Sequence, residues 1–301
     1  MILTQTISLC IPILVSLLGC GSQSQRESTV RDPVYQFDFA NPAAEIELPG
    51  RLTEISGLTP IDDSLVAAVQ DEKGELFIIN FLTGDVVDEF KFAKQGDFEG
   101  IELVDDTVYV LRSDGDIYVI ADWRSEDRDA VKIQTPLSPK NDAEGLGYQP
   151  AQHRLLVAAK EFPGDGLSRV RSIFGFDLRT KTLDPTPAYT ISLDTIGVRL
   201  GIPGESLRKL LSSVVYLEAF KPSALAVHPL TGDIFVISSV LKAIAVVAPT
   251  GNLTDLVPVE VDRLRQPEGL AFLPNGDLLV STEGQGGKGR IFRFNQTRIP
   301  E

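Results

Sequence analysis

Apolar and polar positions alternate along this chain in short runs rich in Val, Ile, Leu and aromatic residues, separated by Gly, Asp and Asn. That is the pattern of antiparallel strands joined by tight turns. The clearest stretch reads GIEL, TVYVLRS, DIYVIAD and AVKIQTPL between residues 100 and 137, a meander of four strands. LVAAVQD, ELFIINF and VVDEFKF precede it; RLLVAAK, SIFGFDL and AYTISL follow; then come DIFVISS, AIAVVAP and LTDLVPVE, and finally GLAFLP, DLLVSTE and RIFRF. Each group is headed by a related phrase: EISGL (54–58), DFEGI (97–101), DAEGL (142–146), KPSAL (221–225) and QPEGL (266–270). The phrases recur about every 45 residues, a blade-sized period, with one long interval between the third and the fourth.

The expected fold is therefore all-β, a five-bladed β-propeller of four-stranded antiparallel blades over residues 35–296, occupying the length as one large domain. The fifth group lacks an outermost strand, and YQFDFA at residues 35–40 is the expected donor, closing the ring and removing two open edges. The long interval holds one blade plus an insertion at about residues 194–222. Leu207, Leu210, Leu211, Val214 and Leu217 fall at helical spacing within it.

Composition narrows the function classes. A net charge of -14 makes nucleic acid an unsuitable partner and fits a cationic ligand or plain solubility. Residues 7–19, ISLCIPILVSLLG, are apolar but too short to span a bilayer. With Leu17-Leu18-Gly19-Cys20 they resemble a bacterial lipoprotein signal, which implies a signal peptide over 1–19, lipidation of Cys20 and a polar tether over 20–34, although no Lys or Arg precedes the apolar run. Cys10 and Cys20 are the only cysteines, so the mature chain is expected to hold no disulfide and no catalytic thiol. His153 and His228 are the only histidines, too few for a histidine-rich zinc site, and each is read as a turn residue.

The third residue of each phrase is Ser56, Glu99, Glu144, Ser223 and Glu268 in turn, never apolar. In a propeller the first strand of each blade borders the central channel, so these residues should ring one mouth. Three carboxylates without counter-charge raise one another's pKa or demand a cation, and an all-oxygen donor set suits a hard ion such as calcium. The glycine that follows them is expected to give the backbone freedom at the start of the strand. Around this ring a second group is expected where the second strand returns: Asp71 and Glu72, Ser113 and Asp114, Lys160 and Glu161, Ser238 and Ser239, Thr282 and Glu283. Lys160 is placed to offset part of the acidity or to hold an anionic ligand. Asp114-Gly115-Asp116 and Thr231-Gly232-Asp233 read as hairpin turns, and GQGGKG at 284–289 joins two strands and so is no phosphate loop. Residues 194–222 and the loop at 161–172 should lie beside the mouth, as a lid or as packing on the rim.

The phrases, with VQDEKGELF, LLVAAKE, KPSALAVHPLTGDIFVISS and QPEGLAFLPNGDLLVSTEG, resemble the SdiA-regulated family of bacterial envelope propellers over about residues 50–295. The resemblance implies five blades and a bound calcium, carried most securely by Glu99, Glu144 and Glu268, next by Ser56 and Ser223, with Lys160, Glu161 and Glu283 as neighbours. Thr282 stands where related sequences often have Asn. No settled activity comes with the family. Three functions follow, in this order: a calcium-binding, lipid-anchored envelope protein that takes a small-molecule or protein ligand at the acidic mouth; a scaffold pinned by its metal; and a metal-dependent hydrolase of the phosphoesterase or lactonase kind. In the last, Glu161 would be general base and Lys160 would stabilise negative charge.

Overall fold

A computed structural model describes residues 35–126, 128–200, 220–259 and 263–298. Their strands form five antiparallel sheets arranged as the blades of a propeller, and one further two-stranded pair. Blade 1 runs Ile55–Pro60, Leu65–Gln70, Glu75–Asn80 and Asp85–Lys91; blade 2 runs Phe98–Val104, Thr107–Arg112, Ile117–Ala121 and Ala130–Ile133. In blade 3, Ala143–Gln149, Arg154–Ala159 and Val170–Asp177 are followed by a divided outer edge, Thr182–Leu183 and Tyr189–Ser192, both paired with Val170–Asp177. Blade 4 runs Ala224–Val227, Ile234–Ser238, Ala243–Val247 and Leu253–Pro258, and blade 5 has Pro267–Phe272, Leu278–Thr282 and Arg290–Phe294.

The fourth strand of blade 5 is Ala44–Glu47, from the N-terminal side of the chain. The ring is closed by such a strand, but not by residues 35–40. AEIE has a weak apolar signal because it is an outer strand: Ile46 faces inward and is buried, while Glu45 and Glu47 face Arg290 and Lys288 at 3.1–3.4 Å. The stronger run at 35–40 serves otherwise. Tyr35–Gln36 pairs with Thr297–Arg298, Phe39 packs on Phe294, and Phe37 packs on Phe235 and Phe272.

Stability comes from apolar burial between blades, with one buried cluster in each of the five gaps. The tight turns use positive φ at Gly115 and Gly232, as the DGD and TGD sequences require. Within the insertion a helix forms at Leu193–Arg199, capped by the Ser192 hydroxyl; the helix expected from Leu207 to Leu217 lies outside the described residues. So do the signal peptide, Cys20 and the tether.

Candidate functional site

The recurring phrase folds in nearly the same way each time. In blades 1, 2, 3 and 5 the second strand pairs with Ile55 then Leu58, Phe98 then Gly100, Ala143 then Gly145, and Pro267 then Gly269. The residues skipped, among them Ser56, Glu99, Glu144 and Glu268, form β-bulges, which re-aim a side chain out of the ladder. The three glutamates thereby reach the channel axis, where they line a void of about 10 Å³, room for roughly one water-sized particle. The fifth residues of the phrases, Leu58, Ile101, Leu146, Leu225 and Leu270, line the same void and are all buried. All five phrases thus supply the apolar floor, and those of blades 2, 3 and 5 the acids above it.

The glycine between them has a different cause from the one expected. Gly57, Gly100, Gly145 and Gly269 do not have positive φ. They are needed because inner strands of adjacent blades nearly touch: a Cβ at Gly100 would lie 2.6 Å from the Leu146 Cβ, one at Gly145 2.8 Å from the Leu225 Cβ, and one at Gly269 2.4 Å from the Ser56 carbonyl oxygen. The two serines serve that closure. The Ser223 hydroxyl is buried and donates to the Pro267 carbonyl across the gap between blades 4 and 5, at 2.7 Å. Ser56 is buried, and its carbonyl accepts from the Ser281 hydroxyl between blades 5 and 1, at 2.7 Å.

The first residue of each phrase belongs to the site as well. Asp97 hydrogen-bonds to Glu99 and repels it, Asp142 and Asp97 act on Glu144, Gln266 hydrogen-bonds to Glu268, and Glu54 and Asp97 act on Asp71. These residues were in plain view in the repeat, two positions before the ring. Their types vary from acid to Lys221 to Gln266, which hid the common location.

Burial and mutual repulsion push the acids up. Glu99 is raised by burial and by Glu144, and Glu144 is raised by burial against the opposing pull of Lys160. Glu268 is pushed up to about 8 by burial and Glu144, Glu283 to about 7 by burial and Asp71, and Asp71 to about 6 by burial and Glu54. The Lys160 ammonium pairs with Glu144 Oε1; burial opposes its charge, but Glu144 and its acidic neighbours hold its pKa above the usual lysine value. Glu144 Oε2 and Asp71 Oδ1 are buried without a hydrogen-bond partner.

The remaining expected residues divide. Glu161 pairs with Lys221 and Arg171 Nε donates to the Phe220 carbonyl at 2.7 Å, contacts that tie the loop at 161–172 to the end of the insertion, while the Arg169–Asp194 ion pair ties it to the start. Glu72 is exposed. Asp114 is engaged by Arg112, and the Ser238 hydroxyl accepts from the backbone of Lys221 and Leu241. Among the described residues no group of three or more His, Cys, Asp or Glu is already arranged as a metal shell. The donor chemistry nevertheless suits a hard cation: the groups are oxygens, two of them lack partners, and the acids exceed the lysines facing them.

Residues 32–286 match the family described as SdiA-regulated. The chain belongs to the SdiA-regulated family. No curated protein matches it significantly. Among solved structures, this SdiA-regulated chain is similar in fold to the glutaminyl cyclase of Myxococcus xanthus, at 11% identity and a TM-score of 0.54, covering 86% of this chain and 97% of that one. It is also similar to the PQQ-bound aldose sugar dehydrogenase of Streptomyces coelicolor, at 13% identity and a TM-score of 0.52, covering 88% and 99%. At these identities the likeness is one of fold alone.

Proposed function

We propose that this SdiA-regulated propeller is a calcium-binding cell-envelope lipoprotein that holds the ion at its acidic mouth and takes a small-molecule or protein ligand beside it. The observation carrying this reading is the convergence of Glu99, Glu144 and Glu268 on one ion-sized void with too little positive charge to balance them. Glu144 Oε2, buried without a partner on the residue that lines the void, is the oxygen from which coordination would start, and Lys160 would have to share or cede Glu144. A bound cation would neutralise the ring and link inner strands from three blades. The envelope location rests on the lipoprotein-like sequence ending at Cys20.

The test is unfolding of residues 27–301 with calcium, magnesium or chelator, alongside Glu99→Gln, Glu144→Gln and Glu268→Gln. Calcium at ~100 times its dissociation constant should add about 2.7 kcal/mol to the parent, and the increment should fall in each variant. Absence of any calcium-dependent change in the parent overturns the reading. Turnover of phosphomonoesters or lactones that vanishes in the same variants would move the assignment to a hydrolase. The ion pair of Glu161 with Lys221 weighs against that alternative, since it occupies the expected general base.

A further inference from the structure

A second cavity opens at the other end of the inner strands. Its volume is about 450 Å³, within the range of small-molecule sites, and its wall includes Pro60, Glu102, Tyr148, Val227, His228 and Phe272. Glu102 lies three residues along its strand from Glu99, roughly 10 Å. The apolar floor containing Ile101 stands between the two sites.

We propose that this cavity binds a small organic cation with an apolar body, its charge facing Glu102 and its body lying against Tyr148 and Phe272. Among the described residues, none lining it is Lys or Arg, and the partners of Glu102 are Thr59, Leu103 and Tyr148, with no lysine or arginine paired to it. His228 brings no positive charge. Its Nδ1 accepts from the backbone of Leu230 and Thr231, and burial lowers its pKa to about 4. An anionic ligand would therefore meet the carboxylate with nothing to offset it.

Glu102 is fixed in place before any ligand arrives. Its Oε1 accepts from the Thr59 hydroxyl at 2.8 Å and the Leu103 N–H at 3.1 Å, and its Oε2 accepts from the Tyr148 N–H at 2.9 Å. A carboxylate offers about four acceptor positions, so one at Oε2 remains for a donor in the cavity. Burial pushes Glu102 up to about 7 against these hydrogen bonds, a penalty on the charged form that a neighbouring cation would remove. Tyr148 is steadied by its hydroxyl contact to His153 Nδ1 at 3.1 Å, and Phe272 by edge contact with His228 at a centroid separation of 4.8 Å.

The probes are phenethylamine, 2-phenylethanol and 3-phenylpropionate, titrated into residues 27–301 and followed by calorimetry and ligand-observed NMR. The amine should bind about tenfold more tightly than the alcohol, and the carboxylate more weakly than either. Glu102→Gln should reduce amine affinity to that of the alcohol. Ala151→Trp, at an exposed position in the cavity wall, should weaken binding of both, and Val87→Thr, exposed on the outer strand of blade 1, should leave both unchanged. If Glu102→Gln does not fold, Ala151→Trp against Val87→Thr still decides. An amine preference that survives Ala151→Trp undiminished places the amine outside this cavity and overturns the proposal. So does the absence of saturable binding, or equal affinity for all three probes.

Discussion

Lys160 determines how the acids of the mouth share their charge. Its side chain is 26% exposed and that of Glu144 6%, so the pair is largely withdrawn from water and removing one partner isolates the other. Breaking such a pair costs about 3–5 kcal/mol; the low end is expected here because Glu144 can take up a proton instead of remaining charged. Lys160→Met should therefore lower stability in chelator by roughly 3 kcal/mol, measured by urea denaturation. Calcium should restore more stability to the variant than it adds to the parent, since it would no longer compete with an ammonium for Glu144. An equal increment in both proteins would mean that Lys160 and the ion do not share that carboxylate. The ring itself was legible in the sequence because its residue types are constrained to Glu and Ser. Asp97 was not, because a varying residue carries no visible signature until the fold places it beside Glu99.

At the scale of the strand, the phrase in blades 2, 3 and 5 is a compact device in which a bulge turns one side chain to the axis and a glycine lets the next blade approach. Gly100→Ala would place a Cβ 2.6 Å from the Leu146 Cβ and 3.2 Å from its backbone nitrogen. Neither atom is the flexible end of a long side chain, so the two inner strands must separate, at a cost of about 1–3 kcal/mol. Ala224→Gly offers the contrast: the phrase in blade 4 already accommodates a Cβ there, and its removal should cost only about 0.5–1 kcal/mol of chain entropy. Comparing the urea midpoints checks both, and equal losses would remove close approach as the reason for glycine. The strands of all five blades were readable because their second strands are nearly continuous apolar runs, such as Val66–Val69, Leu155–Ala159 and Ile234–Ile237, buried on both faces between neighbouring blades. The closing strand was misplaced because AEIE, paired on one side and half exposed, is held by Glu45 and Glu47 to Arg290 as much as by Ile46. The aromatic run before it looked more like a strand but spends Phe37 and Phe39 as packing against Phe235, Phe272 and Phe294.

Over the whole molecule, the raised acids make stability depend on pH in a direction opposite to ordinary acid denaturation. Glu268 at about 8 and Glu283 at about 7, with Glu99 and Glu144 also raised, keep protons in the folded state that an unfolded chain gives up near pH 4.3. Stability from such groups is complete below their unfolded pKa and is lost as pH rises through the folded values. His228, lowered to about 4, works the other way: its contribution is complete above about 6.5 and is lost as pH falls toward 4. Between pH 6.5 and 9 the raised carboxylates dominate, Glu102 of the second cavity among them at about 7, so the scan is run on Glu102→Gln to isolate the mouth. In chelator, the unfolding free energy should then fall with pH by about 1.4 kcal/mol per unit for each proton the mouth still holds. A calcium ion in the ring would replace those protons. The calcium-loaded protein should lose less stability over the same range, the calcium increment should grow with pH, and binding at pH 7 should release protons, seen calorimetrically as a heat that depends on the buffer. A chelated protein whose stability is flat from pH 6.5 to 9 would show that the ring is already neutralised from within, with Lys160 and Lys221 sufficient for it.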